Sequence, residues 1–528
     1  MPTEGERRAF LDRVVPELAR LEREGAEAYW QATTGGGAEA EARYAAIRAE
    51  TARRLSDGAE YAFLAEADAA PTRDPVLDRQ ITLLRLAYQG YQAAPKLLED
   101  IVAREAELEG IFTRFRADLD GRPASDNELR RVLERDTDSG RRRRAWEASK
   151  QIGVQAAPKV RALAALRNQA ARQAGGQDHF ELSLRLQELE PEPLLALLDE
   201  LARRTREPFL QAKAGLDAEL ARRYGVAPQD IRPWHYADPF FQEAPAAGEV
   251  DLDALFAGHD GLELARRFYR GIGLDPEPVL ARSDVYERPG KQQHAYCIDI
   301  DRGGDVRILL NMAPGERWAS TALHELGHAV YDRGHDPTLP WLLRTPAHIS
   351  TTEAVAQLMG RQSKDATFLR DVVGVPAAQA EAAAAALARH LRLSQLIFAR
   401  WGLVMVRFER ALYADPAADL DALWWELVED LQGLPRPEGR RAPDWAAKIH
   451  VATVPVYYQN YLLGELTASQ LLAAMGEPVT GRPEVGPWLR SRVFAPGARW
   501  RWDELVRRAT GAPLSVEAYA AQFVRDGT

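Results

Sequence analysis

Cysteine is nearly absent from this sequence, since Cys297 is the single one among 528 residues. One thiol excludes an internal disulfide framework and is typical of proteins from a reducing compartment. We therefore predict that Cys297 is a small, buried apolar residue rather than a nucleophile.

Long apolar runs and an excess of positive charge are missing as well. No stretch of about 18 apolar residues occurs, and residues 1–13 lack the apolar core of a secretory signal. The formal net charge is -10, whereas nucleic acids and anionic membranes select a basic face. These absences predict a cytoplasmic protein without a nucleic-acid or membrane partner, and they leave the oligomeric state open, a monomer included.

Helix-forming residues, by contrast, are abundant. Alanine, leucine, arginine and glutamate dominate, and apolar positions recur every three or four residues, as between Leu194 and Leu201. The sequence therefore predicts a mainly α-helical fold. Amphipathic helices are expected at about Glu6–Trp30, Lys96–Phe115, Pro191–Tyr224, Glu381–Leu412 and Leu420–Gln432.

One segment, residues 292–312, breaks the helical period. In "QQHAYCIDIDRGGDVRILLNM" apolar and polar residues alternate around Arg-Gly-Gly-Asp, which indicates a β-hairpin. It ends about a dozen residues before His324, so we expect a strand pair beside the helix that carries this histidine. A free strand edge in that place can hold an extended peptide by backbone hydrogen bonds.

That helix contains the stretch His-Glu-Leu-Gly-His, residues 324–328. His324 and His328 are four residues apart on one helical face, so both imidazoles can reach one tetrahedral metal ion. Glu325 points to the side, where it can accept a proton from an attacking water molecule. The alternative is an ordinary surface helix with a coincidental pair of histidines.

A zinc site of this kind needs a third protein ligand, usually a carboxylate. Glu353 follows His328 by 25 residues and opens an apolar helix in "HISTTEAVAQLMGR". Ser350 and Glu353 also fit a capping box, which would make the glutamate structural. His348 is a weaker alternative ligand. The sequence thus predicts one Zn2+ per chain, held by His324, His328 and Glu353.

A third group of polar residues lies downstream in "AAKIHVATVPVYYQNYLLGEL". Tyr458 and Tyr461 share a helical face, Tyr457 is close by, and His450 precedes the turn at Pro455. Phenol or imidazolium donors can stabilise the oxyanion formed in peptide hydrolysis. A tyrosine stripe is also common in protein cores, and both interpretations stay open.

Together these motifs resemble the peptidyl-dipeptidase A family, the zinc peptidases that include angiotensin-converting enzyme. The resemblance rests on "AHISTTEAVAQ", "LQGLPRP" followed by "AAKIH", "HAYCIDI" and, upstream, "ARRYGVAPQDIRPWHY". It implies one peptidase domain, a large and nearly all-helical ellipsoid with a deep central channel and a small sheet beside the zinc helix. Its two lobes would span about 1–290, with lid helices, and 291–528, with the zinc site.

The resemblance also implies roles for individual residues. Glu325 would be the general base, and His450 and Tyr461 would stabilise the oxyanion. Lys448 would pair with the free C-terminal carboxylate of the substrate. The implied substrate-binding residues are His294, Ala295, Lys448, Tyr457 and Tyr458.

Several positions depart from the family pattern. The tyrosine pair lies one residue farther from the histidine, so matching by distance from His450 gives Tyr457 and Asn460 instead of Tyr458 and Tyr461. We prefer the latter pair because asparagine is a poor replacement for a phenol donor.

Three other family positions differ in residue type. Gln357 stands where the family has a carboxylate that orients a zinc histidine, and a substrate-binding glutamine falls near Tyr236. An arginine that helps to bind chloride in the family is missing, which leaves chloride dependence open.

These features predict a cytoplasmic zinc peptidase that removes C-terminal dipeptides from short, unstructured peptides. An oligoendopeptidase or a carboxypeptidase is the alternative within the same class. A catalytically silent, zinc-stabilised peptide-binding protein is the alternative from another class.

Overall fold

The computed structural model describes residues 1–245 and 251–524. It is 69% helical, which confirms the predicted mainly α fold with a small sheet. The α-helices of the described residues are α1 (Glu4–Gln31), α2 (Gly37–Leu55), α3 (Gly58–Asp68), α4 (Pro75–Gln89), α5 (Pro95–Arg114), α6 (Asp126–Arg135), α7 (Ser139–Gln173), α8 (His179–Leu186), α9 (Pro191–Tyr224), α10 (Leu252–Phe256), α11 (Gly261–Gly271), α12 (Glu277–Leu280), α13 (Glu316–Asp332), α14 (Ile349–Arg361), α15 (Ala366–Phe368), α16 (Ala377–Ala414), α17 (Leu420–Gln432), α18 (Ile449–Thr453), α19 (Tyr458–Met475), α20 (Val485–Leu489), α21 (Trp502–Thr510) and α22 (Glu517–Phe523).

All five predicted helices are present, and two of them have the predicted bounds. Helix α9 begins at Pro191, whose fixed φ suits the first helical position, and it ends before Gly225, which has a φ of 66°. Helix α17 begins after Asp419, whose side chain accepts the backbone N–H of Ala422, and it ends at a left-handed Gly433. Boundaries follow the sequence closely where such capping residues stand.

Two antiparallel strand pairs accompany the helices. Strands β1 (Ala117–Leu119) and β2 (Arg122–Ala124) form one pair, and β3 (Tyr296–Asp299) and β4 (Val306–Leu309) form the other. The second pair confirms the predicted hairpin, and it contacts α13 as expected. The first was not predicted because its strands have three residues each, although the Asp120-Gly121 turn, with φ of 56° and 81°, is a typical hairpin signal.

The chain divides into two compact units, each assembled from both halves of the sequence. The first unit comprises Met1–Gln92, Glu249–Ala388 and Leu463–Ala518, and the second comprises Ala93–Gly248, Arg389–Leu462 and Tyr519–Thr528. The two lobes expected from the resemblance, about 1–290 and 291–528, stay a prediction. In the described part of the chain, no helix is long and apolar enough to cross a membrane.

Helix α13 lies in the core of the first unit. Leu323, Leu326 and Ala329 are fully buried against residues of α11, α14 and the β3–β4 pair. Cys297 of β3 packs against this core and is partly exposed, so it is less buried than predicted, and burial of its sulfur raises its pKa. The helix that carries both motif histidines is therefore held rigidly.

Aromatic residues fill the core of the second unit. Trp401 of α16 lies 5.3 Å from Phe240, 5.9 Å from Trp424 and 5.9 Å from Tyr458, measured between ring centroids. Aromatic side chains have few rotamers to lose on burial. Such a cluster is therefore a stiff support for the polar groups that pack against it.

We predict that replacing two helix glycines of this unit by alanine has opposite effects on stability. Gly153 of α7 is buried, and an added Cβ would collide with the backbone carbonyl oxygen of Pro443, whereas Gly215 of α9 has open space around it. Gly153→Ala should lower the free energy of unfolding by about 1–3 kcal/mol through overpacking. Gly215→Ala should raise it by about 0.5–1 kcal/mol through helix propensity.

Thermal melts of the two variants beside the parent protein measure both effects. Equal midpoints for the two variants would contradict the packing of α7 described above.

Candidate functional site

The predicted metal ligands converge in the first unit. The Nε2 atoms of His324 and His328 lie 3.3 Å apart on one face of α13. The Oε2 atom of Glu353, on α14, lies 3.8 Å from the first and 3.9 Å from the second. Ligands at about 2.0–2.1 Å from a tetrahedral zinc ion are separated by roughly 3.3 Å, so the three donors match a zinc site with small adjustments.

The chemistry of the donors also fits zinc. Burial lowers the pKa of His324 to about 4 and that of His328 well below its ordinary value, so both imidazoles are neutral and offer lone pairs. The His324 side chain is 30% exposed, against 7% for Glu353, which leaves one side of the cluster accessible. Catalytic zinc sites keep such an open position, whereas structural sites are closed.

Close packing of three helices brings these ligands together. An added Cβ at Gly327 of α13 would lie 2.7 Å from the backbone Cα of Ala356 on α14. An added Cβ at Gly464 of α19 would lie 3.1 Å from the Cβ of Glu353 and 2.6 Å from the side chain of Gln357. Glycine at both positions is thus a condition for the approach of Glu353 to the histidines.

The capping-box alternative for Glu353 is wrong. Helix α14 begins at Ile349, and its N-cap is His348, whose Nδ1 accepts the backbone N–H of Ser350 at 3.0 Å. Ser350 therefore lies inside the helix, and Glu353 lies one turn into it. His348, the weaker alternative ligand, serves as the cap.

Thr352 is a site residue that was not predicted from the sequence. Its Oγ1 lies 2.7 Å from the Nδ1 of His328, on the side of the ring opposite to Nε2. A hydrogen bond there fixes the tautomer and the orientation of the imidazole, as is usual for metal-bound histidines. The only signal in the sequence was its position directly before Glu353.

Glu325, the predicted base, is 8% exposed on α13. Burial, together with the negative charge of Glu353, raises the pKa of its carboxyl to about 8. A carboxyl with a pKa near neutrality can both accept and return a proton, which general acid–base catalysis requires.

His294 and Ala295 directly precede β3, and His294 is exposed. The amide of Asn311 donates hydrogen bonds to the carbonyl oxygens of Gln292 and Gln293 at 3.0 and 3.1 Å, which fixes the approach to the strand. Among the strands of the described residues, β3 pairs with β4 alone, so its other side is a sheet edge.

Lys448 lies in the second unit, inside a partly aromatic enclosure. Its Nζ is 5.4 Å from the ring centre of Trp401, 5.5 Å from Phe240 and 5.8 Å from Tyr458. It donates a hydrogen bond of 2.7 Å to the side-chain oxygen of Gln242. Burial lowers the pKa of Lys448 to about 8, so the charged ammonium is held at a cost that a neighbouring anion would offset.

Gln242 is a second residue that was not predicted from the sequence. The expected substrate-binding glutamine was placed near Tyr236, whose hydroxyl instead donates to Asp217 at 2.5 Å. Gln242 follows six residues later in "PFFQE", and the structure brings its side chain to Lys448.

The tyrosines and His450 cluster in the same unit. Ring centroids are 5.1 Å apart for His450 and Tyr458, 5.5 Å for Tyr458 and Tyr461, and 5.0 Å for Tyr457 and Tyr461. Asn460 is buried, and its Nδ2 donates to the side-chain oxygen of Gln187 at 2.8 Å. Its amide donor is therefore used within the protein.

A family model matches the chain over residues 255–480; its description is Peptidase M2, angiotensin-converting enzyme. The match confirms the resemblance to the peptidyl-dipeptidase A family and indicates a metallopeptidase hydrolase. No curated protein matches the chain significantly. The matched segment contains every predicted site residue, whereas the resemblance upstream of residue 255 stays a prediction.

We predict that Thr352→Val weakens zinc binding because it removes the hydrogen bond to His328 at nearly constant volume. Loss of such a partner costs on the order of 10- to 100-fold in metal affinity. Competition with a chromophoric chelator measures the affinity without reference to activity.

Thr352→Ser is the matched control, since it keeps the hydroxyl, and it should bind zinc nearly as tightly as the parent. Parental affinity in the valine variant would show that the hydroxyl has no influence on His328.

Proposed function

We propose that this angiotensin-converting-enzyme-like metallopeptidase releases dipeptides from the free C-terminus of short, unstructured peptides. The observation that carries this proposal is Lys448, a buried ammonium with Gln242 as a neutral hydrogen-bond partner and three rings around it. A terminal carboxylate beside it would satisfy the charge and complete a buried ion pair. Recognition of a terminal carboxylate by such a group favours removal of C-terminal residues over cuts within a chain.

The residues of the first unit would carry the chemistry. His324, His328 and Glu353 would hold one zinc ion, which when bound activates water and polarises the scissile carbonyl. Glu325 accepts a proton from the attacking water and passes it to the leaving amine. The edge of β3 that does not pair with β4, with His294 and Ala295, would bind the peptide backbone.

Two donors of the second unit are proposed for the oxyanion, Tyr461 and His450. Asn460, the alternative to Tyr461, is committed to Gln187, which favours the tyrosine. Tyr458 is 3% exposed and lies against Trp401 and Lys448, which favours a role at the terminal carboxylate. Tyr457 remains a proposed substrate contact.

The metal, the channel, the location and the partners expected from the sequence belong to the same proposal. Zinc as the metal is supported by the family match and by the donor set. The channel, the cytoplasmic location and the lack of nucleic-acid and membrane partners stay predictions.

We expect a peptide of about ten residues to lose two residues at a time when its C-terminus is free, and an amidated copy to be cleaved far more slowly. Lys448→Met should reduce kcat/KM for the free peptide at least 30-fold, since losing one partner of a buried charge pair costs about 2 kcal/mol or more. It should leave the slow cleavage of the amidated peptide unchanged. Mass spectrometry of timed samples gives all of these rates.

The same experiment separates the alternatives. Internal cuts in both peptides would identify an oligoendopeptidase, and losses of single residues a carboxypeptidase.

We predict that Glu325→Gln abolishes turnover and retains zinc. Removing a general base typically costs on the order of 100- to 10,000-fold, while the three ligands are untouched. Metal analysis of the purified variant supplies the control. Hydrolysis at the parental rate would refute the mechanism, and a parent protein that binds the peptide uncut would support the silent binding protein.

A further inference from the structure

Val456 has an unusual backbone conformation directly before the tyrosine cluster. Its φ is 52°, in the left-handed region. The other described residues with positive φ, apart from glycine, are Asp120, Glu188, Phe241 and Arg302. Val456 alone in this set is β-branched, and for such a side chain the left-handed region is a costly outlier that persists only when the surroundings enforce it.

A buried glutamate holds the N–H of this residue. Glu409 of α16 is 1% exposed, and its Oε1 accepts the backbone N–H of Val456 at 2.9 Å. Burial raises the pKa of Glu409 to about 8. Placing a carboxyl in this core is unfavourable by itself, and the bond to Val456, together with the positive charge of Arg167, offsets part of that cost.

Two glutamines bind the carbonyl side of the same residue. The amide groups of Gln459 and Gln187 donate to the carbonyl oxygen of Val456 at 2.6 and 3.4 Å. Gln187 also accepts a hydrogen bond from Asn460, next to Tyr461, at 2.8 Å. The backbone N–H and C=O groups of Val456 are thus both hydrogen-bonded to side chains. We call these contacts, made by Glu409, Gln459 and Gln187, the clamp. It extends into the first turn of α19.

Val456 lies directly before the segment that carries the tyrosines. It stands between Pro455 and Tyr457, two residues before the first residue of α19. A left-handed residue turns the chain sharply within one position, so the conformation of Val456 sets the direction in which α19 begins.

We propose that Glu409 is a positioning residue: it enforces the left-handed conformation of Val456 and thereby fixes Tyr458 and Tyr461 at the start of α19. The inference rests on the proposed function insofar as these tyrosines act on the substrate. Glu409 itself touches no reacting atom.

The test uses Glu409→Met, which removes the acceptor, and Glu409→Gln, which keeps an oxygen of the same reach. The methionine variant should lose roughly 10- to 100-fold in kcat, since displacing a catalytic group by about 1 Å has effects of this order. The glutamine variant should stay within about threefold of the parent, because an uncharged amide resembles the protonated carboxyl.

Val456→Gly distinguishes positioning from simple packing. Glycine adopts positive φ without strain, so it should restore most of the lost kcat in the Glu409→Met background and change the parent little. If Glu409 acted only by packing in the core, a change at residue 456 would not restore kcat. If Glu409→Met does not fold, the double variant should.

Hydrogen exchange of residues 454–466 gives a readout independent of turnover. It should be faster in Glu409→Met than in the parent and Glu409→Gln. Parental exchange and turnover in Glu409→Met, or a double variant that regains neither folding nor kcat, would overturn the inference. A parent protein that cleaves no peptide would instead refute the proposed function. The exchange rates would still test whether Glu409 holds the backbone at Val456.

Discussion

The contact between α13 and α14 at Gly327 is the constraint on which the candidate metal centre depends. The three ligand atoms come from two helices, and their separation is set by how closely the helix backbones approach. Because helix axes normally pack 8–10 Å apart according to the size of the side chains between them, a glycine at the crossing brings the backbones to the short end of that range. The same argument applies to Gly464, where α19 covers the ligand helix from another side.

The titratable groups of both units are held away from their ordinary protonation equilibria by burial. In the first unit this produces neutral imidazoles and a carboxyl with a pKa near 8. In the second it produces a lysine with its pKa lowered to about 8. Perturbed groups of this kind concentrate at functional sites, and here they coincide with the positions that the sequence motifs single out.

Local patterns explain what could be predicted from the sequence, and long-range contacts explain what could not. The spacing of His324 and His328 determines a shared helical face, and Pro191 and Gly433 mark helix ends, so these features were predicted correctly. The bounds of α16 were less accurate because its alanine-rich first turns carry no apolar period. Gln242 was missed because it meets Lys448 across 206 residues of sequence.

The enclosure of Lys448 has a consequence for the ionic conditions under which the protein can attract a carboxylate. A charge on the surface is screened beyond about 8 Å at physiological ionic strength, and mobile ions weaken its pairs further as salt rises. Lys448 is 9% exposed and surrounded by Trp401, Phe240 and Tyr458, so counterions have little access to it. Its attraction for an anion that reaches it therefore depends on shape and desolvation rather than on the salt content of the medium.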